Sequence, residues 1–236
     1  IVSGIFVLRA LKECGIELED DIYVTSYADE EYGGGNGALA ACIKYPSDVY
    51  INLDGGGMQV LPYGIGGRCA TASIHIDKTL SSCAEIFEGL KILVEEFNKF
   101  GEKRFEELRK SPIFKGTPIE EDSYRLLSVS CGDNGLDLNS AKISFTYYTL
   151  KQQSQMEKEL SVLSDALSKK LFEKGMVFDR IENISRFFHP VNPEKVPYDA
   201  EMFKNALEKT YMKKVDYAGG CLSDLSVISQ YGGGIA

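Results

Sequence analysis

Apolar residues at Ile5, Phe6, Leu8, Leu11 and Ile16 recur at helical spacing and predict an amphipathic helix ending near Cys14-Gly15. Residues 21–27 (DIYVTSY) are β-branched and aromatic and predict a strand. Asp29-Glu30-Glu31 follows directly, and then Gly33-Gly34-Gly35. Asn36 suits the cap of a second helix over 37–44, which Tyr45-Pro46 ends. Residues 49–53 (VYINL) predict another strand, running into Asp54-Gly55-Gly56-Gly57. Helix, strand, helix and strand with short connections is the rhythm of a mostly parallel, helix-covered sheet.

From about Leu61 the rhythm changes. Residues 67–77 predict a strand, and 80–110 a long helix with Ile86, Leu90, Leu93, Val94 and Phe97 on one face. Strands are expected at 124–131 and 142–150, around Gly132-Asp133-Asn134-Gly135. A helix over 153–172 and a last strand opening at Gly175 complete the order βαββαβ, the ferredoxin-like plan. Pro190, Pro193 and Pro197 mark a linker before a helix over 199–212 and the motif Gly219-Gly220-Cys221-Leu222-Ser223-Asp224. The expected fold class is α/β: a helix-covered, mostly parallel sheet at 1–61 and 188–236, interrupted by a ferredoxin-like βαββαβ domain at 62–187.

Composition narrows the function. The 236 residues are 44% hydrophobic and 26% charged, which is globular rather than disordered. Lys and Arg number 26 against 35 Asp and Glu, a net charge of −9, so the basic face that nucleic acid requires is not expected. No apolar run reaches the roughly 18–20 residues that span a bilayer, and the first eleven residues lack the basic start of a signal peptide. Six scattered cysteines without a CxxC pair read as reduced thiols of a cytoplasmic protein. An initial Ile1 and a glycine-rich close at Gly232-Gly233-Gly234 read as a piece of a longer chain.

The acidic residues carry the chemistry. Glu30-Glu31 and Asp54 each follow a predicted parallel strand, and open α/β sheets place ligands at the C-terminal ends of strands. Adjacent carboxylates repel, and a cation neutralises them. The neighbouring glycines let backbone and substrate approach closely.

The run from Tyr27 to Ala38 (YADEEYGGGNGA) resembles the DEExGG…GA signature of the M20 metallopeptidases, the co-catalytic zinc aminoacylases, carboxypeptidases, dipeptidases and desuccinylases. Residues 50–56 (YINLDGG) resemble their next strand, which ends in an acidic metal ligand, and Gly219-Gly220-Cys221-Leu222-Ser223-Asp224 resembles their substrate loop. The inserted βαββαβ unit is similar to their lid, which commonly also dimerises. The resemblance implies Glu30 as general base, Glu31 and Asp54 each as ligand to one of two zinc ions (other divalent metals being possible), and Gly219, Gly220, Ser223 and Asp224 as substrate-binding residues. A helix N-cap is the competing reading of Ser223-Asp224. It implies hydrolysis of a small peptide or N-acyl amino acid by a cytoplasmic, non-membrane homodimer formed through the lid.

The family's two metal-binding histidines and its bridging Asp are not matched. By resemblance the HxD motif and the bridging Asp would precede Ile1 and the final His would follow Ala236, so the segment alone is expected to be inactive. His75-Ile76-Asp77 mimics HxD but lies after the acidic cluster, so His75 reads as a strand residue or a lid contribution to a site. His189 precedes Pro190 and is given no chemistry. Where the family's lid carries a D-x-R arginine, the chain reads Tyr147-Tyr148-Thr149. The alternative to an amide hydrolase is a catalytically silent homologue acting as a dimeric binding or scaffold protein. A phosphate loop at 33–37 lacks the Lys-Ser/Thr and GxGxxG patterns.

Overall fold

The computed structural model describes residues 2–28, 35–53, 58–75, 83–132, 139–231 and 234–235. In chain order the elements are α1 (Val2–Glu13), α2 (Asn36–Lys44), β1 (Val49–Tyr50), β2 (Gln59–Gly64), β3 (Gly66–His75), α3 (Cys83–Arg109) and α4 (Pro118–Glu121). They continue with β4 (Tyr124–Cys131), β5 (Ser140–Thr149), α5 (Gln153–Phe172), β6 (Val177–Asn183), α6 (Tyr198–Tyr211), β7 (Asp216–Gly220), α7 (Leu225–Tyr231) and β8 (Gly234–Ile235). The chain is mixed α/β, with a parallel ladder and a separate antiparallel sheet. It divides into two compact units: Ile1–Pro62 with Lys195–Tyr217 and Ser223–Ala236, and Tyr63–Glu194 with Ala218–Leu222.

The first unit holds the parallel pair, Val49 opposite Gly234 and Tyr50 opposite Ile235. Helix α2 starts after Gly35, whose backbone is left-handed (φ 59°), so Asn36 is the first helical residue rather than the cap. One face of α2 packs Ala38 and Cys42 against Val227 and Ile228 of α7. Gly4 brings α1 close to the extended chain at Val24, where an added Cβ would lie 2.8 Å from Val24 Cγ1. Residues 21–27, expected as a strand from their composition, carry no regular secondary structure and belong to no ladder among the described residues. Local preference makes a chain straight; only a neighbour makes it a strand.

The second unit is a four-stranded antiparallel sheet in the order β4-β5-β3-β6, with α3 and α5 on one face. Along β3, Ala70, Ala72 and Ile74 alternate inward at 0% exposure, and β5 answers with Ala141, Ile143, Phe145 and Tyr147. Ile86, Leu90, Leu93 and Phe97 of α3 cover them with Met156, Leu160, Leu167 and Leu171 of α5. Gly89 permits this approach: a Cβ there would lie 2.5 Å from Ile74 Cδ1. At the end of the core Arg104, 1% exposed, is held by Glu107 Oε2 at 2.9 Å and by Glu159, and donates to Thr149 Oγ1 at 3.2 Å.

Two outcomes test this unit. Arg104→Ala leaves Glu107 and Glu159 with only the half-exposed Lys151 as counter-charge and should cost about 3 kcal/mol in urea unfolding. Burial pushes the phenols of Tyr124 and Tyr147 up from 10.0 to about 12. A folded-state pKa above the unfolded one gives stability that is complete below pH 10 and lost as pH rises towards 12. The unfolding free energy should fall between pH 10 and 12 by up to about 1.4 kcal/mol per pH unit per tyrosine, and Tyr147→Phe should remove one share of that slope.

Candidate functional site

Within the first unit a cavity of about 330 Å³ is lined by two runs of chain, 23–27 and 49–53, the second opening with β1. Ala38, Ala41, Cys42 and Tyr45 of α2, with Ile228 of α7, complete its wall. Burial pushes the Cys42 thiol up, with a hydrogen bond from Tyr50 opposing it, so this cysteine is a protonated packing group. Tyr27 and Leu53 each lie just before an acidic, glycine-rich stretch, at 29–34 and 54–57. Those stretches, and with them Glu30, Glu31 and Asp54, lie outside the described residues.

The Gly-Gly-Cys-Leu-Ser-Asp motif is shared between the units. In the second, Gly219 and Gly220 close strand β7, where the sequence suggests a loop, and the Ile65 N–H donates to the Gly220 carbonyl at 3.1 Å. A Cβ on Gly219 would lie 2.2 Å from Phe114 Cε1, so only glycine fits against that buried ring. The Cys221 thiol is 3.4 Å from the Tyr148 hydroxyl, and burial together with this thiol drives the Tyr148 pKa upward. In the first unit the Ser223 hydroxyl accepts from the Leu225 N–H at 3.3 Å, and the Asp224 carbonyl accepts from Val227 and Ile228, both at 2.9 Å. Ser223 and Asp224 therefore start α7, as their helix-cap reading expects, and Asp224 is buried at 3% exposure.

Both histidines belong to the second unit. His75 pairs through Nδ1 with Asp179 on the neighbouring strand β6. His189 stands edge-on to the Phe187 ring at 5.1 Å, with Nδ1 3.3 Å from Gln152 Oε1. Burial, and then the charge of Arg68, hold its imidazole below the ordinary pKa. Among the described residues no three of His, Cys, Asp and Glu gather as a metal site. The described residues alone thus do not fit a di-zinc centre, and the acids that could change this are Glu30, Glu31 and Asp54. Cys14, Cys42, Cys69, Cys131 and Cys221 are free thiols, and among the described residues no helix is long and apolar enough to cross a membrane.

Two residues of interest were not singled out from sequence. Tyr148 stands in the Tyr147-Tyr148-Thr149 run noted above, but nothing in that run signals its contact with Cys221, which joins residues far apart in the chain. Arg68 does give one: it occupies the inward position of the alternation Arg68, Ala70, Ala72, Ile74.

No family model matches the chain, and no curated protein matches it in sequence. Solved structures do match. The aminopeptidase PepT from Bacillus cereus aligns with a TM-score of 0.65 and 16% identity over 99% of this chain and 60% of its own. A tripeptidase from Staphylococcus aureus aligns at 0.64 and 13% identity over 95% of this chain and 57% of its own. A dinuclear metal-binding M20-family peptidase from Bacillus subtilis aligns at 0.48 and 10% identity over 89% of this chain and 53% of its own. The chain thus spans less than two thirds of these structures, and at such identities the likeness is one of fold. The fold is that shared with the aminopeptidase and the tripeptidase.

Proposed function

We propose that the protein is a metal-dependent amide hydrolase of the M20 type, acting on a small peptide or an N-acyl amino acid. One observation carries this reading. Within a fold shared with an aminopeptidase and a tripeptidase, two runs of chain that line one cavity lead into Asp-Glu-Glu and Asp-Gly-Gly sequences. Glu30 takes a proton from the attacking water and returns it to the leaving amine. Glu31 and Asp54 each hold one divalent ion, zinc in this reading. When bound, such ions lower the pKa of water and polarise the scissile carbonyl. Gly219, Gly220, Ser223 and Asp224 receive the substrate, and residues 62–187 act as a lid to which His75 contributes. Edge strand β4, with Leu127 and Val129 exposed, supports a homodimer formed through that lid.

The test is hydrolysis of tripeptides and N-acyl amino acids by the full-length protein with added zinc. Glu30→Gln should lower turnover by about 10²–10⁴-fold and leave the metal content unchanged. Parallel loss of metal and activity would make Glu30 a ligand, and wild-type turnover in Glu30→Gln would remove the base from this site. No hydrolysis of either substrate class by the wild type would favour the binding-protein alternative.

A further inference from the structure

The second unit buries two arginines and treats them differently. Arg104 is enclosed by Glu107 and Glu159. Arg68, 7% exposed, has no carboxylate partner among the described residues, and its Nε is enclosed with no hydrogen-bond acceptor. A cation buried without a counter-charge is strongly disfavoured, and folded proteins pair such groups or bring them a ligand.

Around Arg68 the positions are fixed from both sides. Residue 68 stands opposite Tyr147 in the β3–β5 ladder, while Gly67 bridges to Phe188 on the other side. The guanidinium lies over the Phe187 ring, 5.5 Å from its centroid. Beyond that ring stand His189 and Gln152. The Tyr147 hydroxyl is enclosed and lacks a partner as well. The charge of Arg68 reaches both Tyr147 and His189. Glu157 and Glu159, which act on Tyr147 from α5, are engaged elsewhere, Glu157 by Gln153 Nε2 at 2.7 Å and Glu159 by Arg104 and Lys151.

We propose that Arg68 and the Tyr147 hydroxyl form a binding site for a carboxylate group. The chemistry selects this class. The deficit is one positive charge in an otherwise neutral aromatic setting, which a monoanion balances, and the planar guanidinium fork matches the two oxygens of a carboxylate. The hydroxyl adds a donor on the same side. The carboxylate comes either from a free small acid or from the C-terminal end of a peptide. The site lies wholly within the second unit and does not depend on the hydrolase reading.

The test is titration of the whole chain, with chelator present, by sodium acetate replacing sodium chloride at constant ionic strength. Thermal midpoint and the Arg68 Nε–H resonance are the readouts. The wild type should be stabilised saturably by acetate, with the Arg68 resonance shifting on the same curve. Arg68→Met should weaken the response by about tenfold or more, and should melt above the wild type in chloride because the uncompensated charge is gone. Ala-Ala-Ala and its C-terminal amide separate the two sources. A response to the free tripeptide but not the amide assigns a peptide terminus, and a response to acetate alone assigns a small acid. Identical acetate responses in wild type and Arg68→Met would overturn the site. So would an Arg68 resonance that stays still up to the highest acetate concentration, and this reading needs no variant to fold.

Discussion

The structure of the second unit depends on covering one face of a four-stranded sheet with two helices. Strand β3 is central, paired with β5 on one side and β6 on the other, and its inward residues are small. Ala70 and Ala72 create the depth into which Phe97, Phe100 and Phe145 of the core stack, with Phe97 and Phe145 ring centroids 4.4 Å apart. Gly89 lets the long helix settle on Ile74 and Met176. Close packing of this kind makes every volume matter, since each added methyl group needs room that does not exist.

Electrostatics at the end of that core follow from the same burial. A guanidinium removed from water needs an opposite charge at bonding distance, and helices α3 and α5 supply it to Arg104 from Glu107 and Glu159. Exposed pairs such as Arg9 with Glu13, each more than half exposed, carry little stability by comparison. Arg68 lacks such a partner among the described residues, and its position beside Tyr147 and Phe187 distinguishes it from an arginine that merely fills space.

The first unit is organised differently. Its ordered contacts are small clusters: α2 against α7, and Val60 with Ala200 and Val215. Residues 23–27 and 49–53 line one cavity, and among the described residues no ladder joins them. Apolar residues of α1 such as Ile5 and Phe6 remain more than half exposed. An amphipathic pattern is a local property, and it records which face a helix is suited to bury rather than what buries it.

Much of the fold was legible from the chain alone. The spacing of Ile86, Leu90, Leu93 and Phe97 defines the buried face of α3, and the alternation after Gly67 defines β3, because burial repeats with the local geometry of helix and strand. The mixed α/β class followed from the order of those elements. Strand pairing did not: residues 21–27 read as a strand but have no ladder partner in the described chain, whereas Gly219 and Gly220 read as a loop but end β7. The acidic motifs were also legible, since Asp29-Glu30-Glu31 and Asp54 are compact in sequence. What surrounds a charge was not legible. Arg104 meets Glu159 and Arg68 meets Phe187 across long stretches of chain, and only the tertiary structure decides which buried cation is neutralised and which is left to a ligand. Local sequence sets the shape of each segment, and non-local contact sets its partner and hence its chemistry.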